Sequence, residues 1–340
     1  MRILVLHAWL KGNLGDVLQL SVLLSALREL RPQALDLAGF PERPADETAE
    51  LLLLADRYLP DTFPWYWHVS PALAGRVIFE PWWKKRRAAL FSRYDAIVCA
   101  PGPYLAGYDV RVTSAVADIT IACELGLPVV LASHSIGPLD STGLAAVAKA
   151  AVRVAREPST HDYLREHGIS STLSADLAFL YPYAVAGAPG RVAPPYRVIF
   201  LRSNNLTASA LRFEQGTLLE GPRLIADAGN DRLVLATSDY RRDERFLAKA
   251  ARRLGVPWVC CRSVPELVQL IGASSGVVSD RYHPAICAAV LGKPARLLSN
   301  RERHKMQGLR NLLDGHTCAE LQELARAGLR TLREALRRAS

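Results

Sequence analysis

The sequence predicts an α/β fold of two successive Rossmann-like, doubly wound halves. Short apolar runs rich in Val, Ile and Leu alternate with longer segments of helical period, which is typical of parallel strands joined by crossover helices. The chain has 340 residues, which exceeds the size at which a single hydrophobic core usually stops growing. A stretch rich in proline and glycine from Tyr181 to Tyr196 interrupts the periodicity. We therefore expect domains over residues 1–182 and 197–340, joined by a linker over 183–196.

In the first half, apolar runs too short for helices are assigned as strands, and the longer periodic segments as helices. The predicted strands are Arg2–His7, Ala34–Ala38, Ala96–Ala100 and Pro128–Ser133, and the predicted helices are Asp16–Leu30, Val112–Glu124 and Thr142–Val154.

The second half repeats this alternation without a visible sequence repeat. Its predicted strands are Arg197–Leu201, Arg232–Ala236, Trp258–Cys260 and Gly276–Ser279, and its predicted helices are Gly221–Ala228, Asp243–Leu254, Val264–Ala273 and Pro284–Leu291. Two such halves facing a cleft are the GT-B-like architecture of many glycosyltransferases, with ligand at the carboxyl ends of strands. A last amphipathic, basic helix over Ala319–Arg338 is expected to pack back on the first domain, and a membrane-surface role is its alternative.

Composition narrows the function only in part. The formal net charge of +9 favours anionic ligands, which include phosphorylated metabolites, nucleic acid and acidic membranes. No apolar run reaches the ~20 residues of a membrane span, so we expect a cytoplasmic protein. The six cysteines lack C-x-x-C spacing, so neither a disulfide framework nor a zinc site is expected. The sequence shows no cluster of His, Asp and Glu at the spacing of metal ligands, so we expect no other metal site.

Two glycines and an acidic residue follow the first predicted strand, in Gly12-Asn13-Leu14-Gly15-Asp16. The glycines allow a ligand to approach the backbone, and the next helix presents N–H groups to it. The spacing differs from G-x-G-x-x-G and disfavours a dinucleotide. Asp16 is either a functional carboxylate or a simple helix cap.

The segment Ser279-Asp280-Arg281-Tyr282-His283-Pro284 joins a predicted strand to a helix that Pro284 is expected to open. A guanidinium grips phosphate or carboxylate, and an imidazole carries protons near neutral pH. We therefore favour a functional role for Arg281 and His283 over a surface arginine and a structural histidine. Arg202, at the end of the first strand of the second half, is expected to share an anion with Arg281.

These motifs, in this order, resemble those of the polysaccharide pyruvyl transferase family over residues 3–313. Three departures stand out: His134 replaces a usual Gln, Tyr282 replaces a usual Leu, and Cys99–Pro103 replaces a glycine run. The matching segments are Gly12-Asn13-Leu14-Gly15-Asp16, His134-Ser135-Ile136-Gly137-Pro138, Arg156-Glu157 with Ser159, Leu164 and Gly168, Asp176-Leu177-Ala178-Phe179, Arg281-Tyr282-His283 with Pro284–Ala288, and Gly292-Lys293-Pro294.

The resemblance implies an enzyme of exopolysaccharide or cell-envelope biosynthesis. It implies transfer of the pyruvyl group of phosphoenolpyruvate, as co-substrate and without a cofactor, onto a saccharide hydroxyl pair as a ketal. The saccharide acceptor is free or lipid-linked. The expected catalytic residues are His283 and Asp16, the donor-binding residues are Arg202, Arg281, Tyr282 and Lys305, and the acceptor or loop residues are Asn13, Gly15, Ser135, Trp82 and Trp83.

An aromatic and basic segment over 63–87 has three interpretations. Tryptophans beside Lys84-Lys85-Arg86-Arg87 suit acceptor capture, a peripheral contact with the inner membrane face, or a partly buried insertion with a solvated edge. Nucleic acid is disfavoured, because the basic residues lack a recognisable binding fold.

Two other functions remain open. One is a nucleotide-sugar glycosyltransferase on the same architecture, since fold does not fix function. The other is a catalytically silent carbohydrate-binding protein, against which the joint presence of Asp16, Arg281 and His283 argues.

Overall fold

The chain forms two compact units. The computed structural model describes residues 1–10, 12–40, 49–60, 73–107, 110–184, 192–203, 210–220, 223–227, 229, 231–298 and 303–338. Unit 1 comprises Met1–Lys11, Gln19–Leu177 and Leu321–Ser340, and unit 2 comprises Gly12–Leu18 and Ala178–Glu320. The Gly12–Leu18 segment, expected with the first domain, thus groups with unit 2. Residues 63–68, Asn204-Asn205 and positions 185–191 of the expected linker lie outside the described residues.

Unit 1 is built on one parallel sheet. Its strands are β1 Arg2–Trp9, β2 Ala34–Phe40, β3 Arg57–Pro60, β4 Ala96–Cys99, β5 Gly102–Leu105, β6 Val129–Ile136, β7 Val152–Ala155 and β8 Thr172–Leu173. Their order is β3-β2-β1-β4-β6-β7-β8, and β5 pairs with β6. The chain moves outward from β1 in both directions, so the sheet is doubly wound with its switch point between β1 and β4.

Unit 2 contains a parallel sheet and a small antiparallel one. The remaining strands are β9 Tyr196–Phe200, β10 Leu211–Glu214, β11 Thr217–Glu220, β12 Arg223–Asp227, β13 Arg232–Thr237, β14 Trp258–Cys260, β15 Gly276–Ser279 and β16 Ala295–Leu297. The parallel sheet has the order β14-β13-β9-β15-β16, and β10, β11 and β12 form the antiparallel sheet. The switch point of the parallel sheet lies between β9 and β15.

Helices join these strands in both units. They are α1 Leu14–Arg28, α2 Ala49–Leu52, α3 Leu73–Phe91, α4 Val110–Glu124, α5 Ser141–Lys149, α6 Pro158–Glu166, α7 Tyr240–Leu254, α8 Val264–Gly272, α9 Tyr282–Val290, α10 Arg303–Gly315 and α11 Cys318–Arg338. The α/β fold with parallel sheets confirms the predicted class. Within the described ranges, no helix has both the length and the apolarity that a membrane crossing requires.

The closing helix α11 packs against the rest of unit 1, although it comes last in the sequence. The Arg333 Nε atom donates to the Ala26 carbonyl at 3.1 Å, and Ser174 Oγ donates to the Leu324 carbonyl at 3.2 Å. A Cβ added at Gly328 would overlap Ser174 and Val154. The apolar side of α11 is therefore a packing surface of unit 1.

Three predicted elements were wrong in type or extent. Residues 223–227 form β12 rather than a helix, because pairing with β11 buries Ile225. Helix α5 ends at Lys149, and Val152–Ala155 continues as β7 beside β6, where its β-branched residues fit a pleated surface. Helix α9 begins at Tyr282, so Pro284 is its third residue and not its first.

Candidate active site

The carboxyl edge of the unit 2 sheet collects polar side chains from three neighbouring strands. Arg202 follows β9, Asp239 follows β13 and Asp280 follows β15. The switch point between β9 and β15 lies at this edge, where doubly wound sheets bind their ligands. This edge is therefore the candidate site of unit 2.

The Gly12–Asp16 loop joins this edge through backbone contacts. Asn13 forms an isolated bridge with Asp239, and the Leu14 N–H donates to the Ser238 carbonyl at 2.9 Å. The Asn13 side chain accepts from the Gly15 N–H at 3.2 Å and donates to the Asp16 carboxylate at 2.9 Å. Asn13 thus caps α1, which leaves Asp16 for a role other than the simple cap.

Gly15 is required by the close approach of His283. A Cβ added at Gly15 would overlap the His283 imidazole ring, starting with its Nδ1 atom. His283 stands in the first turn of α9 and is almost fully buried. The two motifs that the sequence separates by more than two hundred residues therefore meet in unit 2.

Asp16 lies in a field of mixed charge. Burial raises the pKa of Asp16, while the nearby positive charges of His283 and Lys305 oppose that rise. The Lys305 Nζ atom sits 5.0 Å from the centroid of the Tyr282 ring, a distance that suits a cation–π contact. Asp16, His283, Tyr282 and Lys305 thus form one cluster, and a carboxyl group with a raised pKa is suited to proton transfer.

Arg281 is held by two carboxylates that the sequence analysis did not single out. Its two terminal nitrogens contact Asp239, at 3.3 Å, and Asp243. Burial lowers the pKa of Arg281 to about 10, although Asp239 opposes that shift, so the guanidinium is still protonated at neutral pH. A donor bound to Arg281 would therefore share its guanidinium with Asp239 and Asp243. The Nε atom is buried without a hydrogen-bond partner among the described residues.

Asp243 and a further carboxylate, Asp280, hold the chain after β9. The Arg202 N–H donates to Asp280 at 3.1 Å, and the Ser203 N–H donates to Asp243 at 3.0 Å. The positive charge of Arg202 contributes to the lowered pKa of Arg281, so the two guanidinium groups are electrostatic neighbours. A sequence signal exists for one missed residue, Asp239: a Ser-Asp pair marks the end of a buried strand at Ser238-Asp239 as well as at Ser279-Asp280.

Ser135 lies in unit 1, in a buried network around Arg156. The Arg156 Nε atom donates to Ser135 Oγ at 2.7 Å, and one terminal nitrogen donates to Gln19 and Asp176, both at 2.9 Å. Ser135 also donates to Glu157 at 3.1 Å. Three segments of the family resemblance thus meet at one buried arginine, and Ser135, predicted as an acceptor or loop residue, is hydrogen-bonded within that network.

The two predicted tryptophans point in different directions. Trp82 is 55% exposed, with the Arg86 guanidinium 5.5 Å from its ring centroid. Trp83 is buried in the core of unit 1, with Arg87 over its ring at 5.7 Å. Of these two residues predicted to contact the acceptor or belong to a loop, Trp83 lies in a helix and packs in the core, which leaves Trp82 as the one exposed to solvent.

Within the part of the chain that the structure describes, no group of three His, Cys, Asp or Glu side chains is arranged to hold a metal ion.

Comparisons with known proteins agree with this fold. The structure resembles S. aureus MnaA in a co-structure with UDP, at a TM-score of 0.59 and 11% identity over 98% of this chain and 95% of that one. It also resembles a UDP-GlcNAc 2-epimerase of Methanocaldococcus jannaschii, at a TM-score of 0.55 and 13% identity over 97% and 93% of the two chains. A putative UDP-N-acetylglucosamine 2-epimerase of Listeria monocytogenes gives a TM-score of 0.57 and 10% identity over 100% and 90%. At these identities the likeness shows the fold alone, which is GT-B-like.

Sequence comparison adds the family. No curated protein matches the sequence. A family model described as polysaccharide pyruvyl transferase matches residues 13–302, which is most of the chain. The chain therefore belongs to the polysaccharide pyruvyl transferase family and is a transferase.

Proposed function

We propose that this transferase moves the pyruvyl group of phosphoenolpyruvate onto two hydroxyl groups of a saccharide, forming a ketal and releasing phosphate. The observation that carries the proposal is the cluster at the carboxyl edge of unit 2. There His283 packs on Gly15 beside Asp16, with Arg202, Arg281 and Lys305 around them.

The cluster suits phosphoenolpyruvate, a small molecule that carries both a phosphate and a carboxylate. Arg202 and Lys305 supply positive charge, and the N-terminus of α9 adds backbone N–H groups that favour anions. Arg281 contributes a fixed charge and its Nε–H, because Asp239 and Asp243 hold its terminal nitrogens. Donor binding in this proposal therefore uses a guanidinium that is fixed in place before the donor arrives, which reduces the entropy lost on binding.

The chemistry needs three proton movements. The methylene carbon of the donor takes a proton, a saccharide hydroxyl attacks the resulting cationic carbon, and a second hydroxyl closes the ring as phosphate leaves. Of the two protons that the hydroxyls lose, one balances the proton gained by the methylene carbon and the other leaves with phosphate. His283 is the proposed proton donor to the methylene carbon, and Asp16 is proposed to orient or deprotonate a hydroxyl.

The structural relatives supply the competing candidate, a nucleotide-sugar enzyme. The names of those relatives mention UDP or UDP-GlcNAc, and folds of this kind host several chemistries. Thermal-shift measurements separate the two functions: phosphoenolpyruvate raises the Tm in our proposal, and UDP or UDP-GlcNAc raises it in the alternative.

Transfer is tested by incubation with phosphoenolpyruvate and a panel of galactose-, mannose- and glucose-containing acceptors. Mass spectrometry is expected to detect an acceptor heavier by one pyruvyl ketal, with release of an equal amount of phosphate. A Tm that responds only to uridine nucleotides, with no pyruvylated product, would refute the proposal.

We also propose that the acceptor is presented at the cytoplasmic face of a membrane as a lipid-linked saccharide. The exposed Trp82 stands beside Lys84, Lys85 and Arg86, which are also exposed, and such a surface suits anionic headgroups. Co-sedimentation with vesicles containing phosphatidylglycerol tests this point. Replacement of the three basic residues by Gln is expected to abolish binding, and unchanged sedimentation would contradict it.

A further inference from the structure

The first turn of α9 carries a tyrosine whose ring faces a lysine of α10. The Lys305 Nζ atom lies over the Tyr282 ring, 5.0 Å from its centroid. An ammonium group within about 6 Å of a ring centroid is attracted by the negative face of the ring. Tyr282 is the first residue of α9 and Lys305 stands in the first turn of α10. The contact therefore joins the beginnings of two neighbouring helices of unit 2.

The tyrosine ring is the fixed partner in this contact. Tyr282 is 4% exposed, and its ring meets the His283 ring edge to face with centroids 5.4 Å apart. Lys305 is only half-buried, and the flexible four-carbon side chain of a lysine has many rotamers. The contact therefore restricts the position of the ammonium group, because the ring is already held by packing.

The charge of Lys305 acts on the candidate site. Burial raises the pKa of Asp16, and the positive charges of His283 and Lys305 oppose that rise. The hydrogen bond from Asn13 also opposes it, whereas the negative charge of Asp239 adds to it. Lys305 thus favours the ionised form of the carboxyl group. A charge spread over many rotamers would act more weakly on average, since the interaction falls with distance.

The ring at position 282 departs from the family pattern, in which a leucine is usual. A leucine side chain has no aromatic face, so it cannot attract an ammonium group in this way. The contact between Tyr282 and Lys305 is therefore a feature of this chain that the family motif does not supply.

We propose that Tyr282 is a positioning residue whose ring holds the Lys305 ammonium group in place for phosphoenolpyruvate and for Asp16. Tyr282 then acts on the donor through Lys305 and needs no contact with the donor itself. A cation that is fixed before the donor arrives loses less entropy on binding, so the ring strengthens donor binding. The role in donor binding and transfer rests on the proposed function, whereas the contact does not.

Reductive methylation with carbon-13 formaldehyde tests the contact without any substrate. It converts each lysine to a dimethylammonium group that keeps its positive charge, and the Lys305 signal is identified by its loss in Lys305→Met. The ring current of Tyr282 should place this signal upfield of that of the exposed Lys249. The signal should stay shifted in Tyr282→Phe and move to the position of Lys249 in Tyr282→Leu.

A double-mutant cycle on donor binding tests whether Tyr282 acts through Lys305. In calorimetric titrations with phosphoenolpyruvate, Tyr282→Leu should weaken binding about 5–30-fold, as expected for a cation–π contact at a buried ring. Tyr282→Phe keeps the ring and should stay within about twofold of the wild type. In the Lys305→Met background, Tyr282→Leu should have almost no further effect. Lys249→Met, which removes an exposed lysine from α7, is the matched control and should leave the Kd unchanged.

The pH–rate profile with a used acceptor gives a readout that a mere loss of packing would not change. Loss of the fixed charge of Lys305 makes Asp16 easier to protonate. The limb of the profile that rises with pH should therefore move to higher pH in Tyr282→Leu and in Lys305→Met, but not in Tyr282→Phe.

Either of two results would overturn the inference. One is a wild-type Lys305 methyl signal at the position of the Lys249 signal. The other is a Tyr282→Leu variant that binds phosphoenolpyruvate as tightly as the wild type, or loses as much affinity with Met at position 305 as with Lys. Should Tyr282→Leu fail to fold, Tyr282→Met fills more of the ring's volume and still lacks an aromatic face. A wild type with the shifted methyl signal that neither binds phosphoenolpyruvate nor transfers its pyruvyl group would confirm the contact but refute the proposed function, and with it the role in donor binding.

Discussion

Each unit has a histidine near the carboxyl edge of its parallel sheet, within β1 in unit 1 and after β15 in unit 2, but the surroundings of the two differ. In unit 2, His283 stands among charged groups that include Asp16 and Lys305. In unit 1, His7 stands among neutral rings with one ionised partner, Asp118. Under the proposed function, the first environment suits binding of an anion and proton transfer to it. The comparison shows that the charges around a histidine, and not only its place at a sheet edge, decide what it is suited to do.

The sharpest test of this comparison is replacement of His283. His283→Gln removes the proposed proton donor, so we expect kcat to fall about 10³-fold, within the usual range for a general acid or base. Isothermal titration calorimetry should still detect phosphoenolpyruvate, because the cationic groups remain. Turnover close to the wild-type rate would break the comparison, since the histidine of unit 2 would then have no chemical role.

The buried network of unit 1 gives the next largest effect, on stability rather than on chemistry. Arg156→Met leaves Asp176 and Glu157 without their buried cation, and loss of one partner of a buried ion pair costs about 3–5 kcal/mol. Urea unfolding measures this loss. Arg165→Met is the matched control, because Arg165 pairs with Asp162 at the surface and is 70% exposed, where such pairs contribute about 0–1 kcal/mol.

A loss for Arg156→Met as small as that for Arg165→Met would contradict the structural role of the network. A selective loss of phosphoenolpyruvate affinity with unchanged stability would assign Arg156 to the donor site instead.

Much of unit 2's site could be predicted from the sequence, because its residues stand in contiguous segments at strand ends. Arg202, Arg281 and His283 closely follow strands of one parallel sheet, and the carboxyl ends of parallel strands meet at one edge. Asp16 follows β1 of the other sheet, so its place in this cluster comes from the fold, in which Leu14 bonds to Ser238. The carboxylates that hold Arg281 were missed: Asp239 carries a local signal in its Ser-Asp pair, but which side chains face a buried guanidinium depends on contacts between segments far apart in the sequence. The strand at 223–227 was missed because pairing with β11 overrides local propensity.

The pairing of two polar residues inside unit 1 could not be predicted from local pattern. His7 and Asp118 are 111 positions apart. Taken separately, each is only one polar residue in a predicted apolar strand or helix. Conversely, Ser135 stands in a segment that resembles the family and yet lies in a buried structural network. A sequence motif therefore indicates that a segment matters to the protein. The fold is needed to show which groups its side chains contact.

The contact between the two motifs of unit 2 can be tested with one methyl group. Gly15→Ala places a Cβ inside the His283 ring position, so either the ring or α1 must shift. Overpacking of this kind costs about 1–3 kcal/mol, and kcat should fall with it because the imidazole is displaced. Gly315→Ala, at a glycine with open space around it, should lose no stability. An unchanged kcat in Gly15→Ala would show that the position of the His283 ring is not critical.

The smallest expected effect concerns the pH dependence of stability, and it carries opposite signs in the two units. Burial raises the pKa of Asp16, so the folded state binds this proton more tightly than the unfolded chain, and ionisation destabilises the fold as pH rises. Asp16→Asn should therefore be more stable than the wild type at pH 7, with a gain that shrinks as pH falls toward the ordinary aspartate pKa of about 3.9.

In unit 1, the hydrogen bond from Arg28 lowers the pKa of Asp56, so Asp56→Asn should lose stability at pH 7 and lose less as pH falls through the lowered pKa. Urea unfolding of both variants between about pH 2 and pH 8 measures the two slopes, with that of Asp16 above the ordinary aspartate pKa and that of Asp56 below it. If Asp16→Asn gains stability while transfer falls, the carboxylate of unit 2 is retained for chemistry at a cost to the fold, as expected of active-site residues. Two slopes of the same sign would show instead that Asp16 is a stabilising group like Asp56, and the chemical contrast between the units would then rest on the histidines alone.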